Sequence, residues 1–276
     1  MRSVVRLGFV GVAVFLFGST ALSLAQTTTT ALFPEVVVGG GYTTTFTLVN
    51  TGSAALSGNL ILTLQKSDGT PVNITVTDLV LNKTFSSTTV PISSIPSGGS
   101  MFLEAAATNP GDSAAVGWCQ VESSGGTLGS VATFAYTSGG QLQTVAGVLS
   151  SDLVSAATIP VDDDFTQGRY TGYAVANPGS SQITITVLEV PASGNSANAV
   201  TLNTVTLGPG QQTASFFFQD PNAVDYKGIK STFQGSAVLI GQSGATFSVI
   251  ALSLVQGTTS LLTAIPVLPS KAPNIN

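Results

Sequence analysis

The chain has 276 residues, with 8 Lys and Arg against 13 Asp and Glu, a formal net charge of −5, and no histidine. Charged residues make up 8% of it, where about 25% is usual, so we expect no nucleic-acid partner, since phosphate binding needs clustered Lys and Arg. The lack of histidine removes the Ser-His-Asp and Cys-His nucleophile systems, while 43% hydrophobic residues exclude intrinsic disorder. We therefore expect a folded protein that is not an enzyme.

Residues 1–25 have the features of a signal peptide. Arg2 and Arg6 form a positive start, residues 7–17 are apolar, and Ser23-Leu24-Ala25 provides the small residues of a cleavage site. We expect cleavage after Ala25 and a mature chain that is secreted or at the cell surface, with no membrane insertion. The alternative is a retained anchor, because residues 7–25 carry no charge and are long enough for a marginal membrane helix.

Most of the mature chain alternates apolar and polar residues with the period of two that half-buried strands require. Leu60, Leu62 and Leu64 alternate with polar or small residues, as do Ile183 and Ile185 later in the chain. Strands are also predicted at residues 42–50, 71–77, 101–105, 114–121, 127–137, 142–149, 213–218, 236–241 and 245–255. Turns rich in Gly, Pro, Asn and Asp separate them, and no long segment has a helical stripe. The pattern predicts an all-β protein.

The chain repeats itself, because five landmarks occur twice in the same order. They are Phe33-Pro34 and Ile159-Pro160, the turns at Asn50 and Asn177, the turns at Pro96 and Pro209, residues 126–131 and 244–249, and residues 144–149 and 263–268. A tandem duplication explains this order. It predicts a first domain at residues 26–151 and a second at residues 152–276. About seven short strands in each half are typical of an immunoglobulin-like antiparallel β-sandwich.

The turns also carry a resemblance to a known family. The strand ending in Asn50-Thr51-Gly52-Ser53, followed later by Pro96-Ser97-Gly98-Gly99, resembles the CARDB-type immunoglobulin-like modules of bacterial extracellular proteins. The second half is similar at Asn177-Pro178-Gly179-Ser180 and at Leu207-Gly208-Pro209-Gly210. The resemblance implies a secreted bacterial spacer, adhesion or assembly module. The segment 218–234 departs from it, because such modules usually lack this insertion.

One acidic cluster is a candidate metal site. Asp162, Asp163 and Asp164 follow one another near the junction of the two halves, and carboxylate oxygens are the ligands that calcium prefers. The alternative is a solvated loop, since the cluster lacks the Asp-x-Asp-x-Asp-Gly spacing of a calcium-binding loop. No other cofactor is expected.

Single residues give weaker indications. Cys119 cannot form an intrachain disulfide, because it is the only cysteine, and a small buried side chain is the favoured interpretation. Trp118 is expected in the core of the first half, with the small Ser236 as its counterpart. In Phe216-Phe217-Phe218, strand alternation would send two rings inward and one outward, where an exposed ring could stack on a sugar.

Two classes of function fit these features. The first is a structural or cell-surface protein that associates with itself or with other envelope or matrix proteins, because scarce charges leave strand edges unprotected. The Thr-rich segments 43–45 and 86–89 are the predicted edges. The second is a recognition module that binds a carbohydrate or a protein partner through loops at one end of a sandwich.

Overall fold

The structure is a computed structural model that describes residues 28–66, 72–109, 111–194, 199–219, 232–257 and 260–270. The predicted signal peptide and residues 220–231 of the predicted insertion lie outside these ranges. Within them the fold is all-β, and its regular elements besides strands are two short 3-10 turns, Phe217–Gln219 and Gln242–Gly244. The described residues contain no helix long and apolar enough to cross a membrane.

Nineteen strands are described. They are β1 Thr28–Val38, β2 Tyr42–Asn50, β3 Leu56–Lys66, β4 Ile74–Asp78, β5 Lys83–Phe85, β6 Thr89–Ile95, β7 Ser100–Ala107, β8 Ala115–Ser124, β9 Leu128–Ser138, β10 Gln141–Leu149, β11 Ala156–Asp164, β12 Arg169–Ala176, β13 Ile183–Pro191, β14 Val200–Leu207, β15 Gln212–Phe216, β16 Thr232–Gly241, β17 Ser248–Val255, β18 Leu261–Ile265 and β19 Leu268–Pro269.

The strands form three antiparallel sheets. One has four strands in the order β1-β8-β3-β6, and another has six in the order β10-β9-β2-β7-β4-β5. The third has nine, in the order β14-β13-β16-β11-β12-β17-β18, with β15 on β12 and β19 on β11. Strands β11 and β12 pair only at Asp164 and Arg169, so this sheet has two arms that meet at one hairpin.

The strand order occurs twice. The arm β14-β13-β16-β11 has the order of β6-β3-β8-β1, and the arm β15-β12-β17-β18 has the order of β7-β2-β9-β10. The internal repeat that the sequence landmarks predict is therefore visible in how the strands pair. The domain limits 26–151 and 152–276 stay a prediction. The pairing agrees with a β-sandwich-like arrangement in which each half has two layers.

Buried asparagines fix the same corner in both halves. Asn50 is completely buried, and Asn177 is 1% exposed. Each side-chain amide donates to a carbonyl four residues ahead and to the last carbonyl of a strand. The pairs are Asn50 with Ala54 (2.7 Å) and Ile95 (2.9 Å), and Asn177 with Ser181 (2.8 Å) and Leu207 (3.1 Å). A buried amide needs such partners, and this explains why turn residues form part of the core.

The second turn differs by one residue from the sequence prediction. The N–H of Gly98 and that of Gly210 each donate to the backbone carbonyl of the corner asparagine, both at 2.9 Å. These two glycines are equivalent, and each has a positive φ that favours glycine, 72° and 70°. Pro96 therefore corresponds to Gly208, and its predicted match to Pro209 is wrong. The two turns are therefore aligned by the glycine that adopts a positive φ and not by the proline.

Alternation builds the core as expected. In β2, Phe46 and Leu48 are completely buried, and the threonines at 45 and 47 face the other side of the sheet. Cys119 also lies completely buried in the first core, and burial raises the pKa of its thiol well above the usual value. This location agrees with the interpretation of Cys119 as a small buried side chain.

Trp118 is buried, but in a different place from the one predicted. It is 7% exposed and clusters with Leu32 and with Ala176 of the second half. Its Nε1 donates to the carbonyl of Gly210, also in the second half, at 2.7 Å. The neighbouring Cys119 occupies the core face of β8, so strand alternation turns Trp118 outward, where the second half covers it.

The predicted edges need correction as well. Residues 43–45 lie in β2, which pairs with β7 on one side and β9 on the other, so they are central rather than at an edge. Thr89, in contrast, begins β6, which ends the four-stranded sheet. Composition alone could not distinguish a central Thr-rich strand from an edge.

Candidate functional site

The three aspartates lie at the end of a strand and not in a loop. Asp162 and Asp164 share one face of β11, where both accept from the Arg169 guanidinium. The ion pairs measure 3.1 Å from Arg169 Nε to Asp162 Oδ2 and 3.3 Å from Nη2 to Asp164 Oδ2. Asp163 faces the other side, is completely buried, and accepts from the backbone N–H of Thr171 at 2.6 Å. The structure thus brings two of the three carboxylates together around a cation.

Asp164 also closes the hairpin after β11. Its Oδ1 accepts from the Thr166 hydroxyl at 2.7 Å and from the backbone N–H groups of Thr166 and Gln167. The bond from the Thr166 hydroxyl is the main cause that lowers the pKa of Asp164, and the field of Arg169 adds to it. Among the described residues, no group of three or more acidic, Cys or His side chains is arranged to hold a metal ion. Calcium binding at Asp162, Asp163 and Asp164 stays a prediction.

An aromatic group lies beside these carboxylates. The rings of Phe165, Tyr170, Phe216 and Phe218 pack together with centroid distances between 5.0 and 6.3 Å. Phe165 is 38% exposed, so the group reaches the surface. Phe217 alone of the predicted triplet is buried, with the other two half-buried, because the strand gives way to a 3-10 turn at Phe217. The predicted alternation of two rings inward and one outward is wrong.

A cleft between the two halves is a third candidate, one that the sequence reasoning missed. It has a volume of about 480 Å³, and both halves line it. Its apolar and aromatic walls are formed by Val37, Val116, Phe134, Tyr173, Phe216, Leu252, Leu254 and Leu262. Tyr42 and Tyr136 also line it, and their rings are stacked with centroids 4.6 Å apart at 28°. The carboxylate-bearing side chain of Glu35 also lines this mostly apolar cleft.

A β-bulge places Glu35 in the cleft. Two residues of β1, Pro34 and Glu35, lie opposite the single residue Trp118 of β8. In the second half, β11 and β16 pair without a shift, and Pro160 lies opposite Ser236. Glu35 is therefore an extra residue that the equivalent strand lacks. Bulges re-aim side chains and are frequent beside functional sites.

The surroundings of Glu35 disfavour its charge. Burial raises the pKa of Glu35 from 4.5 to about 7, since the carboxylate loses water and pairs with no cation of the described residues. Burial also raises the pKa of Tyr42, and the nearby Tyr136 and Glu35 add to that effect. A carboxyl that changes charge near neutral pH inside a cleft is a recognised mark of a functional site.

One signal in the sequence could have indicated this site. The landmark Phe33-Pro34 is followed by Glu35 and then Val36, whereas Ile159-Pro160 is followed directly by Val161. Aligning the two halves through the strands that follow would have shown one inserted acidic residue. The cleft itself depends on how the halves pack, which no local pattern encodes.

Comparison of the chain with family models, curated proteins and solved structures finds no match.

Proposed function

We propose that the protein is an exported, non-catalytic structural protein of the cell surface that associates with copies of itself by adding strands at an exposed edge. In this proposal residues 1–25 are a removed signal peptide, and the mature chain consists of two tandem immunoglobulin-like sandwiches of the bacterial extracellular type. The observation that carries the proposal is the edge strand β14.

Strand β14 has the properties of an edge that accepts a partner strand. Its sequence, VTLNTVTL, contains no charge and no proline, and among the described residues it pairs only with β13. The side chains of Thr201, Thr204 and Thr206 are exposed, whereas Leu202 and Leu207 are buried. A long, uncharged edge of β-favouring residues is a template for pairing with another chain.

Other sheet edges in the described part of the chain are blunted or shorter. Strand β6 contains Pro91, which cannot donate to a ladder, and β1 contains Pro34 beside the charged Glu35. Strand β5 has only three residues and carries Lys83, and β15 has only five residues. Strands β10 and β18 lie against each other, with Leu262 donating its backbone N–H to the Thr144 hydroxyl at 3.1 Å. These features leave β14 as the edge best suited to association.

Paired lysine substitutions test the proposal. Thr204→Lys with Thr206→Lys places two charges on the edge strand, and we expect it to abolish assemblies of the mature chain in sedimentation velocity. The matched control is Thr184→Lys with Thr186→Lys, since these residues pair directly with Thr206 and Thr204 one strand inward. The control should assemble as the wild type does. Equal loss in both variants would mean that a sheet face and not the edge makes the contact.

A second candidate is carbohydrate recognition at the aromatic group. An exposed ring at Phe165 beside the carboxylates of Asp162 and Asp164 offers stacking and hydrogen bonding together, as sugars require. A glycan array with the wild type and Phe165→Ala tests this candidate. Leu153→Ala is the control, because Leu153 is an apolar side chain of similar exposure away from the group. Glycan binding that Phe165→Ala removes and Leu153→Ala retains would favour recognition over assembly.

A further inference from the structure

We infer that the cleft between the two halves binds an organic cation with an apolar body, and that Glu35 is its counterion. This site is separate from the proposed self-association, because none of the cleft residues belongs to β14. The ligand class follows from the size of the cleft, from the one carboxylate among its described lining residues and from its aromatic walls.

The dimensions suit a small molecule. At about 480 Å³ the cleft lies within the range of about 300 to 1,000 Å³ that is usual for ligand sites. Ala114, Val116 and Phe134 of the first half line it together with Ala214, Leu252 and Leu254 of the second. A ligand with an apolar body would therefore remove apolar surface of both halves from water, which is favourable in proportion to the area buried.

The charge of the cleft is negative and uncompensated. Within the part of the chain that the structure describes, Glu35 is the only charged side chain that lines the cleft, and no hydrogen bond or ion pair joins its carboxylate to another residue. An ionised carboxylate in apolar surroundings is costly unless it is paired. A cationic ligand supplies a partner that the described residues do not. An anionic ligand would add a second negative charge to the same space.

The aromatic side chains favour an organic cation over a metal ion. Tyr42 is close enough to Glu35 to feel its charge and stacks on Tyr136, while Phe134, Tyr173 and Phe216 add further rings to the walls. Aromatic faces attract ammonium groups, and cages of such rings recognise quaternary ammonium. A calcium ion, in contrast, takes about 6 to 8 oxygen ligands, and one carboxylate supplies at most about two of them. The lining thus favours an alkylated ammonium attached to an apolar group.

Titration of Glu35 gives the site a pH dependence. Burial holds the pKa of Glu35 near 7 in the free protein, so the carboxylate is protonated at acidic pH and charged above neutrality. Tyr42, Tyr136 and Tyr173 are the other titratable groups among the described lining residues, and burial raises the pKa of Tyr42 further from this range. Affinity for the cation should rise as the pH increases from 5 to 8, by about tenfold or more.

Three probes of similar size test the inference by calorimetry on the mature chain at pH 8. They are benzyltrimethylammonium, the neutral benzyl alcohol and the anionic 3-phenylpropionate. We expect the cation to bind at least about tenfold more tightly than the other two, because only the cation pairs with the carboxylate. Equal binding of the three probes, or no binding of the cation at millimolar concentration, would overturn the inference.

Two variants locate the binding. Glu35→Gln keeps the shape of the side chain and removes the charge, so it should weaken benzyltrimethylammonium about tenfold or more and abolish the pH dependence. Glu122→Gln is the matched control, because Glu122 is a half-buried carboxylate on the neighbouring strand β8 outside the cleft. Unchanged affinity in Glu35→Gln would place the cation elsewhere and refute the assignment. Circular dichroism of each variant confirms that a loss of affinity is not a loss of fold.

Discussion

Replacing Glu35 by Gln should remove a loss of stability that the wild type undergoes as the pH rises from 4.5 to about 7. Burial raises the pKa of Glu35 from 4.5 to about 7, so the native state holds this proton more tightly than the unfolded chain does. The free energy of unfolding of the wild type should therefore fall as the pH rises from 4.5 to 7 and level off above it. At about 1.4 kcal/mol per pH unit the full displacement corresponds to about 3 kcal/mol. This value is an upper limit, because Glu35 keeps some accessible surface.

Glutamine cannot ionise, so Glu35→Gln escapes this loss. Chemical unfolding at pH 4.5 and pH 8.5, followed by circular dichroism, measures the effect in the wild type and the variant. Contributions of all other groups cancel when the two pH profiles are subtracted, and the remaining difference should grow to at most about 3 kcal/mol at pH 8.5. Glu122→Gln serves as the control. Parallel profiles of wild type and Glu35→Gln would refute the argument that Glu35 is desolvated.

Three further predictions concern the junction, the corners and the aspartates. Trp118→Ala should destabilise the protein by about 3 to 5 kcal/mol in urea unfolding, whereas Trp118→Phe should cost less because a ring still fills the space against the second half. Asn50→Ala and Asn177→Ala should each lower the free energy of unfolding by about 2 to 4 kcal/mol, since several buried backbone groups lose a partner; a loss in only one variant would contradict the equivalence of the corners. Calcium at Asp162 and Asp164 must compete with Arg169, so Arg169→Gln should increase any calcium-induced rise in Tm. No rise in either protein at millimolar calcium would leave the aspartates as a plain ion-pair cluster.

The alternation of apolar and polar residues is sufficient to predict a strand that has one buried and one solvent-facing side. The predicted strand at residues 42–50 matches β2 in full, because Phe46 and Leu48 alternate with threonines. Strand β11 escaped prediction, since three consecutive aspartates read as a loop. It is a strand because it pairs along its whole length with β16, about 70 residues later in the chain. Two contacts from the next strand accommodate the carboxylates: the backbone N–H of Thr171 donates to the buried Asp163, and Arg169 pairs with the two aspartates on the other face.

The junction between the halves was beyond sequence reasoning for a different reason. Trp118 was expected in a core because it is large and lies in an apolar strand, yet the contact that buries it comes from Gly210, 92 residues later. Glu35 gives no signal as a single acidic residue, and it is recognised as an insertion only when the two halves are compared, either in sequence or in the pairing of β1 and β11. Sites formed by the packing of two repeats depend on the differences between the repeats, whereas the landmarks revealed only what they share.

Sedimentation velocity of the mature chain, at rising protein concentration and in low and high salt, tests the central claim most directly. Strand addition at β14 rests on backbone hydrogen bonds and apolar contact, so assemblies should grow with concentration and persist at high salt, which screens ion pairs. The double variant Thr204→Lys with Thr206→Lys should sediment as a monomer under the same conditions. A wild-type chain that stays monomeric at high concentration in both salts would contradict the proposed self-association.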